Sequence, residues 1–224
     1  MNKQAPYDSF YSRLTQASVW FYTNILRFGK YEDESIVNFV DAKENSNVLD
    51  YGCNTGRHAR LVKQKYDCNV IGGDIHHAAV SATNKNGIPA EIINSEVFDR
   101  YKSFFDVIIL SHVLEHVDIP SDFLKGIHGL LKEGGSFVTA VPQERIRGDI
   151  NPLQTAYFFL KLKFENPHKH KFSKEQLFSL LRKAGFEPQQ HIFANFVPPF
   201  LTESRRYLLS RSLIVKSINN GGGN

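Results

Sequence analysis

Short apolar segments alternate with stretches of helical character from Asn47 onward, and this alternation constrains the fold more than any other feature of the sequence. The segment 105–111 is apolar on both faces and rich in β-branched residues, as a buried parallel strand requires. Strands separated by helices form βαβ units. We therefore expect an α/β fold, namely a Rossmann-like, doubly wound, mostly parallel sheet with helices on both faces. The predicted strands are 47–51, 68–74, 90–94, 105–111 and 136–141, and the predicted helices are 57–65, 76–86 and 121–131.

The rest of the chain is predicted to add a cap, an insert and a tail to this domain. Aromatic residues at helical spacing make residues 1–45 a predicted N-terminal helical cap. The Rossmann-like domain is expected to span 46–218, with an insert at 143–172 that has no clear period, and residues 219–224 should form a frayed tail. Four further elements are predicted after the insert: a helix over 173–184 that Ser173 caps, strands over 186–196 and 211–218, and a helix over 202–209.

Composition and charge narrow the class of protein. The chain has 224 residues and a formal net charge of +4, which permits an anionic partner but is weaker than a dedicated nucleic-acid binder usually shows. Cys53 and Cys68 make neither a disulfide framework nor a metal knuckle, so a reducing compartment fits best. The sequence shows no signal peptide and no apolar run long enough to span a bilayer. We expect a soluble, cytoplasmic protein.

The segment from Asp50 to Gly56 follows a predicted strand and opens a predicted helix. Its glycines allow a ligand to approach the backbone, and the helix start offers free N–H donors. A dinucleotide fingerprint would need glycine where Asn54 and Arg57 stand, and a P-loop would need a following Gly-Lys-Ser/Thr. Asp74 ends the second strand, where a carboxylate can accept both hydroxyls of a ribose, although an aspartate there often simply caps a helix.

These motifs together resemble the class I S-adenosylmethionine-dependent methyltransferases, in particular those that act on small molecules, lipids and glycans. The resemblance spans about residues 46–188 and implies the fold and the cofactor, S-adenosylmethionine. It rests on the segments Val48–Gly56, Gly73–Ile75, Phe105–His116 and Leu130–Val138, and on Phe172–Leu177 with Ala184–Phe186.

The resemblance also implies a role for each matching residue. The glycine turn would surround the methionine part of the cofactor, Asp74 would hold the ribose and Ile75 would lie against the adenine. Asn94 stands where the family commonly has an acidic residue at the adenine edge, and Ser111 begins the segment lining the exit of the methyl group. The implied cofactor-binding residues are Asp50, Gly52, Cys53, Asn54, Gly56, Asp74, Ile75, Asn94, Ser95, Ser111 and His112.

The segment from His112 to His116 also matches HxxEH, the inverted zinc-protease motif. On a helix, His112 and His116 would share one face, as two metal ligands must. The alternative is that these side chains pack the start of the next helix or line the cofactor pocket. We favour the alternative and expect no metal, because the motif abuts a buried strand, Pro120 limits any helix there, and no third ligand has supporting spacing.

The insert interleaves aromatic and basic residues, most densely over 157–164 and 166–172. Three functional interpretations stay open: a substrate lid, a membrane-surface or lipid-tail contact, and an RNA contact. A packed helix followed by a solvated basic turn accounts for the aromatic part about as well as a lid does.

The expected reaction is transfer of the methyl group to an oxygen or nitrogen of a small-molecule, glycan or lipid acceptor. The protein mainly has to align the acceptor and exclude water. An oxygen acceptor must also lose its proton, and a histidine suits that task. The candidate bases are His116, His168 and His170. The alternatives are an RNA methyltransferase and a catalytically silent cofactor-binding or scaffold protein, and the oligomeric state stays open.

Overall fold

The computed structural model describes residues 30–143, 169–195, 201–202 and 210–221, and the strands of these residues form one sheet. The strands are β1 (Asn47–Tyr51), β2 (Asn69–Asp74), β3 (Ala90–Ile92), β4 (Phe105–Ser111), β5 (Leu131–Pro142), β6 (Phe186–Asn195), β7 (Leu201–Thr202) and β8 (Ser210–Asn219). Their order across the sheet is β3-β2-β1-β4-β5-β8-β6-β7.

The sheet is parallel from β3 to β5 and antiparallel beyond β5. Chain order runs outward in one direction from β1 to β3 and in the other from β4 to β5, so the winding reverses between β1 and β4. The connections that follow two strands at such a switch point run to opposite faces of the sheet. They leave a crevice outside the carboxyl ends of the two strands, where ligands bind in open α/β sheets. The expected doubly wound, mostly parallel sheet is confirmed, and the crevice lies between Tyr51 and Leu110, which are register partners.

Helices cover both faces of this sheet. They are α1 (Lys30–Val40), α2 (Arg57–Lys65), α3 (His77–Lys85), α4 (Ser95–Arg100), α5 (Pro120–Leu130) and α6 (Lys174–Lys183). One core contains Val107 and Ile109 of β4 with apolar residues of α1 and α2, and the other contains Ile108 and Leu110 with apolar residues of α5 and α6. Alternate residues of β4 therefore enter opposite cores, which explains why this strand is apolar on both faces.

Three local predictions needed correction. Helix α4 was not predicted, and Asn94 starts it by accepting a hydrogen bond from the Val97 N–H at 3.1 Å. The strand predicted over 136–141 begins earlier, at Leu131, because Leu131 pairs with Phe105 directly after α5 ends at Leu130. The first residue of the predicted helix over 202–209 lies instead in β7.

Several predictions fall outside the described residues. Residues 1–29 of the predicted cap, 144–168 of the insert and 203–209 of the last predicted helix are among them, as is the tail from 222. Asn219, which the predicted tail includes, is a buried residue of β8 and donates to the Leu131 and Lys132 carbonyls at 3.3 and 3.0 Å. No helix within the described ranges is long and apolar enough to cross a membrane.

Candidate active site

The turn between β1 and α2 has a backbone that suits glycine. Gly52 has a φ of 78° and Gly56 a φ of 73°, and Asn54 between them also has a positive φ of 50°. The N–H groups of Gly52 and Cys53 both donate to the Gly73 carbonyl, at 2.7 and 3.1 Å. A Cβ atom at Gly52 would lie 2.4 Å from Val113 Cγ2. The turn is therefore pressed between β2 and the loop after β4, with no room for a side chain at its first residue.

Thr83 on α3 supports this turn from below. Its hydroxyl donates to the Asn54 carbonyl at 3.0 Å and lies 3.4 Å from the Cys53 thiol. Burial raises the pKa of Cys53 to about 11, although the Thr83 hydrogen bond opposes that shift. The thiol is thus a neutral packing group beneath the turn.

Two buried aspartates hold the edges of the turn. Asp50 Oδ2 accepts from the Ala59 N–H at 3.0 Å, so this carboxylate caps the first turn of α2, and burial raises its pKa. Asp74 accepts two backbone N–H groups, from Asn54 at 3.0 Å and from His76 at 2.9 Å. Each Asp74 oxygen keeps a further lone pair, which fits the acceptor pair that two ribose hydroxyls require.

The residues beyond Asp74 form the outer rim of the candidate site. Ile75 is 63% exposed, so it presents an apolar surface on which an aromatic base could pack. The Asn94 side chain is engaged as the cap of α4, with Ser95 as the first residue of that helix. The geometry therefore leaves the Asn94 backbone and the exposed Ser95 for any contact with an adenine edge.

The loop after β4 forms the other side of the crevice. Ser111 is the last residue of β4, and the His112 N–H donates to the Ala140 carbonyl of β5 at 3.0 Å. His112 has a φ of 55°, a left-handed conformation that is rare in residues other than glycine. This backbone directs Val113 onto Gly52, so the predicted site residues on β1 and β4 come together.

The His112 ring is held between two buried carboxylates. Its Nε2 lies 2.6 Å from Glu32 Oε1, and its Nδ1 lies 3.5 Å from Glu115 Oε1. Ser212 of β8 also donates to Glu32 Oε1, at 2.5 Å. Burial disfavours the charged ring, but the two carboxylates outweigh it and raise the pKa of His112 to about 10. His112 is therefore an imidazolium at neutral pH and is excluded as a base there.

The HxxEH segment does not form the helix that a zinc protease needs. A short 3₁₀ turn spans Leu114–His116, and His112 precedes it in its left-handed conformation. His112 Nδ1 lies 3.5 Å and His116 Nε2 lies 3.9 Å from Glu115 Oε1, so both rings face this carboxylate. Within the described ranges, no group of three or more histidine, cysteine, aspartate or glutamate residues could hold a metal ion.

Two of the three candidate bases, His116 and His170, lie in or beside the loop after β4. The His116 side chain is 45% exposed. Lys169 and His170 donate their backbone N–H groups to the Glu115 carbonyl at 2.8 and 3.1 Å, so the described end of the insert returns to the loop after β4. The other end is close by, because Gln143 Nε2 donates to the Phe172 carbonyl at 3.0 Å. His168 lies outside the described residues.

Three residues of this region could not be predicted from the sequence: Glu32, Thr83 and Ser212. Glu32 and Ser212 lie 80 and 100 positions from His112, and no spacing rule connects them. A pair of acidic residues at a helix start was the single visible signal for Glu32. Thr83 lay inside a predicted helix with nothing to mark it as a contact of the turn.

Comparison with known proteins agrees with this geometry. A family model described as a methyltransferase domain matches residues 23–191. The ubiquinone biosynthesis O-methyltransferase of Pseudomonas aeruginosa strain UCBPP-PA14 is 25% identical over 174 residues, 72% of this chain and 75% of that protein. A Thermotoga maritima structure, described as a SAM-dependent methyltransferase and possible histamine N-methyltransferase, has a TM-score of 0.64 and 21% identity over 94% of this chain and 97% of that one. A geranyl diphosphate methyltransferase in complex with SAM has a TM-score of 0.63 and 13% identity over 96% of this chain and 92% of that one.

The chain therefore belongs to the methyltransferase domain family and is an S-adenosylmethionine-dependent methyltransferase. The described residues fit the cofactor: the turn excludes a side chain at Gly52, Asp74 offers two acceptor oxygens and Ile75 offers an exposed apolar surface. S-adenosylmethionine supplies a methyl group on a sulfonium that is already a good leaving group. The chain's own residues have to bind the cofactor, orient the acceptor and exclude water.

Proposed function

We propose that this methyltransferase acts on a hydroxyl oxygen of a small molecule, and that His116 or His170 takes the proton of that hydroxyl. The observation that carries the proposal is the return of residues 169–170 onto the Glu115 carbonyl, beside the exposed His116. It brings two histidines to the loop after β4, next to the crevice. An oxygen acceptor needs a base, whereas a neutral amine can attack a sulfonium without one.

The comparisons support an oxygen acceptor, because the curated relative from Pseudomonas aeruginosa is named an O-methyltransferase of ubiquinone biosynthesis. The position of the histidines supports it independently. The His170 ring lies 3.3 Å from the Asp118 carbonyl and packs against the Phe172 ring at 5.9 Å between centroids. These contacts hold the His170 ring in place. They differ from those of His112, whose two ring nitrogens each face a carboxylate.

The free thiols of Cys53 and Cys68 support a reducing compartment, and we place the protein in the cytoplasm on that basis. We expect a small-molecule acceptor to bind near the place where the described ends of the insert meet, at Gln143 and Phe172. Both ends lie beside the carboxyl edge of β5, next to the crevice at the switch point.

The acceptor class is tested by incubating the protein with isotope-labelled S-adenosylmethionine and a panel of phenols, aliphatic alcohols, amines and an RNA oligonucleotide. Mass spectrometry and NMR then locate the label. The proposal predicts a methyl ether from a hydroxylated small molecule. Labelling of amines alone, or of RNA with binding that weakens steeply with salt, would contradict it. Binding of S-adenosylhomocysteine without turnover on any acceptor would favour a scaffold protein.

The base is tested with His116→Gln and His170→Gln, with His77→Gln as the matched control, because His77 is an exposed histidine on α3. Loss of the base should lower kcat by roughly 100-fold or more and remove the acid limb of the pH profile of kcat/KM. Affinity for S-adenosylhomocysteine should stay as in the wild type. Full turnover in both His116→Gln and His170→Gln would refute the assignment.

A further inference from the structure

Two adjacent carboxylates in the first turn of α1 reach opposite sides of the crevice. Glu32 accepts from the His112 ring at 2.6 Å and from the Ser212 hydroxyl at 2.5 Å. Asp33 pairs with the Arg57 guanidinium and lies 3.1 Å from His58 Nε2. Both carboxylates are buried, with side-chain exposures of 5% and 13%. Charge-assisted hydrogen bonds that are shielded from water are the strong ones, so each pairing holds its partner firmly.

Three of these partners, Arg57, His58 and His112, directly follow the two segments that border the cofactor site. Arg57 and His58 open α2 directly after Gly56 of the glycine turn. His112 follows β4, on the other side of the switch point. One turn of α1 is therefore joined to both walls of the crevice, although α1 itself contributes no residue to the motifs in the sequence.

The left-handed backbone of His112 depends on the contacts that its ring makes, including the contact with Glu32 of α1. A φ of 55° is unfavourable for a histidine and persists where surrounding contacts impose it. The Ala140 carbonyl holds the His112 N–H, whereas Glu32, Ser212 and Glu115 hold the ring. Loss of the Glu32 contact would allow the His112 backbone to leave its left-handed conformation. Val113 would then no longer pack against Gly52.

We propose that Glu32 and Asp33 are positioning residues of the methyltransferase. The first turn of α1 fixes the distance between the glycine turn and the loop after β4, so that S-adenosylmethionine enters a preformed site. A preformed site binds more tightly, because the cost of ordering its loops is met during folding. The inference rests on the cofactor site and is independent of the acceptor.

The test compares Glu32→Gln and Asp33→Asn with Glu34→Gln, an exposed carboxylate of the same helix turn. Calorimetric titration with S-adenosylhomocysteine, without acceptor, gives the Kd. Each of the first two variants should bind roughly tenfold more weakly, and Glu34→Gln should stay within about twofold of the wild type. Glu32→Gln should also lower the pKa of His112, followed by NMR of the ring, while Asp33→Asn leaves it unchanged.

A purely structural role would lower stability and leave the Kd of the folded protein unchanged, and that result would overturn the proposal. An equal loss in Glu34→Gln would overturn it as well. If Glu32→Gln does not fold, Ser212→Ala removes one hydrogen bond to Glu32 and should weaken binding about threefold; an unchanged Kd would count against the proposal. Wild-type protein that binds no S-adenosylhomocysteine would contradict the cofactor assignment itself, which separates the two failures.

Discussion

The contact between Gly52 and Val113 makes the sharpest prediction about the cofactor site. In Gly52→Ala, the new Cβ would lie 2.4 Å from Val113 Cγ2, at a φ of 78°. The left-handed backbone costs an alanine about 1–2 kcal/mol. The overlap adds about 1–3 kcal/mol, because a packed neighbour has to move. The expected loss of about 2–5 kcal/mol is a large part of the stability of about 5–15 kcal/mol that a domain usually has.

Gly87 provides a matched control for this substitution. It has a φ of 79°, and a Cβ there would meet nothing within 4 Å. Gly87→Ala therefore carries the backbone cost without the overlap. The two variants should differ by about 1–3 kcal/mol in the free energy of unfolding, measured with urea. Because Val113 must move, Gly52→Ala should also bind S-adenosylhomocysteine at least about tenfold more weakly, whereas Gly87→Ala should bind normally.

A second substitution tests the cause of the effect. Val113→Ala removes the Cγ2 atom that the new Cβ would meet, so it should recover part of the lost stability and affinity in the Gly52→Ala background. Equal unfolding free energies for Gly52→Ala and Gly87→Ala would refute the reasoning. Wild-type affinity in Gly52→Ala would refute it too.

Three further predictions concern the helix cap, the charged cluster and the buried thiol. Ser173→Ala removes a capping box in which Ser173 and Gln176 exchange hydrogen bonds of 3.2 and 2.9 Å; urea unfolding should show a loss of about 1 kcal/mol with turnover unchanged, and a loss of turnover would contradict this. Because the pKa of His112 rises from 6.5 to about 10 on folding, its contribution is complete below pH 6.5 and is lost as pH rises through about 10. Unfolding free energy should therefore decline over that window, and His112→Gln should flatten the decline; identical profiles would disprove the assignment. Burial raises the pKa of Cys53 to about 11, so peptide mass spectrometry should find it alkylated slowly by iodoacetamide in the native protein and rapidly in urea, and fast native labelling would argue against a buried thiol.

The sequence predicted those parts of the fold that depend on local signals. β4 was found from its run of β-branched residues, and α6 from its capping box and the glycine that follows it. The start of β5 was placed at Ser136 instead of Leu131, because Gly134 and Gly135 look like a break between a helix and a strand. Leu131 instead joins the sheet beside Phe105, and such a long-range pairing overrides a local glycine signal.

In the candidate site, too, residues marked by a local pattern were predictable and residues joined by tertiary packing were not. The glycine turn and Asp74 were predictable, since both follow strands at fixed places in a βα unit. The pairing of His112 with Glu32 was not, because it joins elements 80 positions apart through tertiary packing. The HxxEH match misled for a related reason: a left-handed His112 departs from the helical geometry that the spacing assumes.

The central claim is that the glycine turn and Asp74 bind S-adenosylmethionine. Calorimetric titration of the cofactor product, S-adenosylhomocysteine, into wild-type protein and into Asp74→Ala tests it most directly. Asp74 accepts from Asn54 and His76, and we propose that its remaining lone pairs accept from the ribose hydroxyls, so its loss should affect both the turn and the ligand. We expect one site per chain in the wild type and binding at least about 100-fold weaker in Asp74→Ala. Absence of binding in the wild type, or equal affinity in the variant, would contradict it.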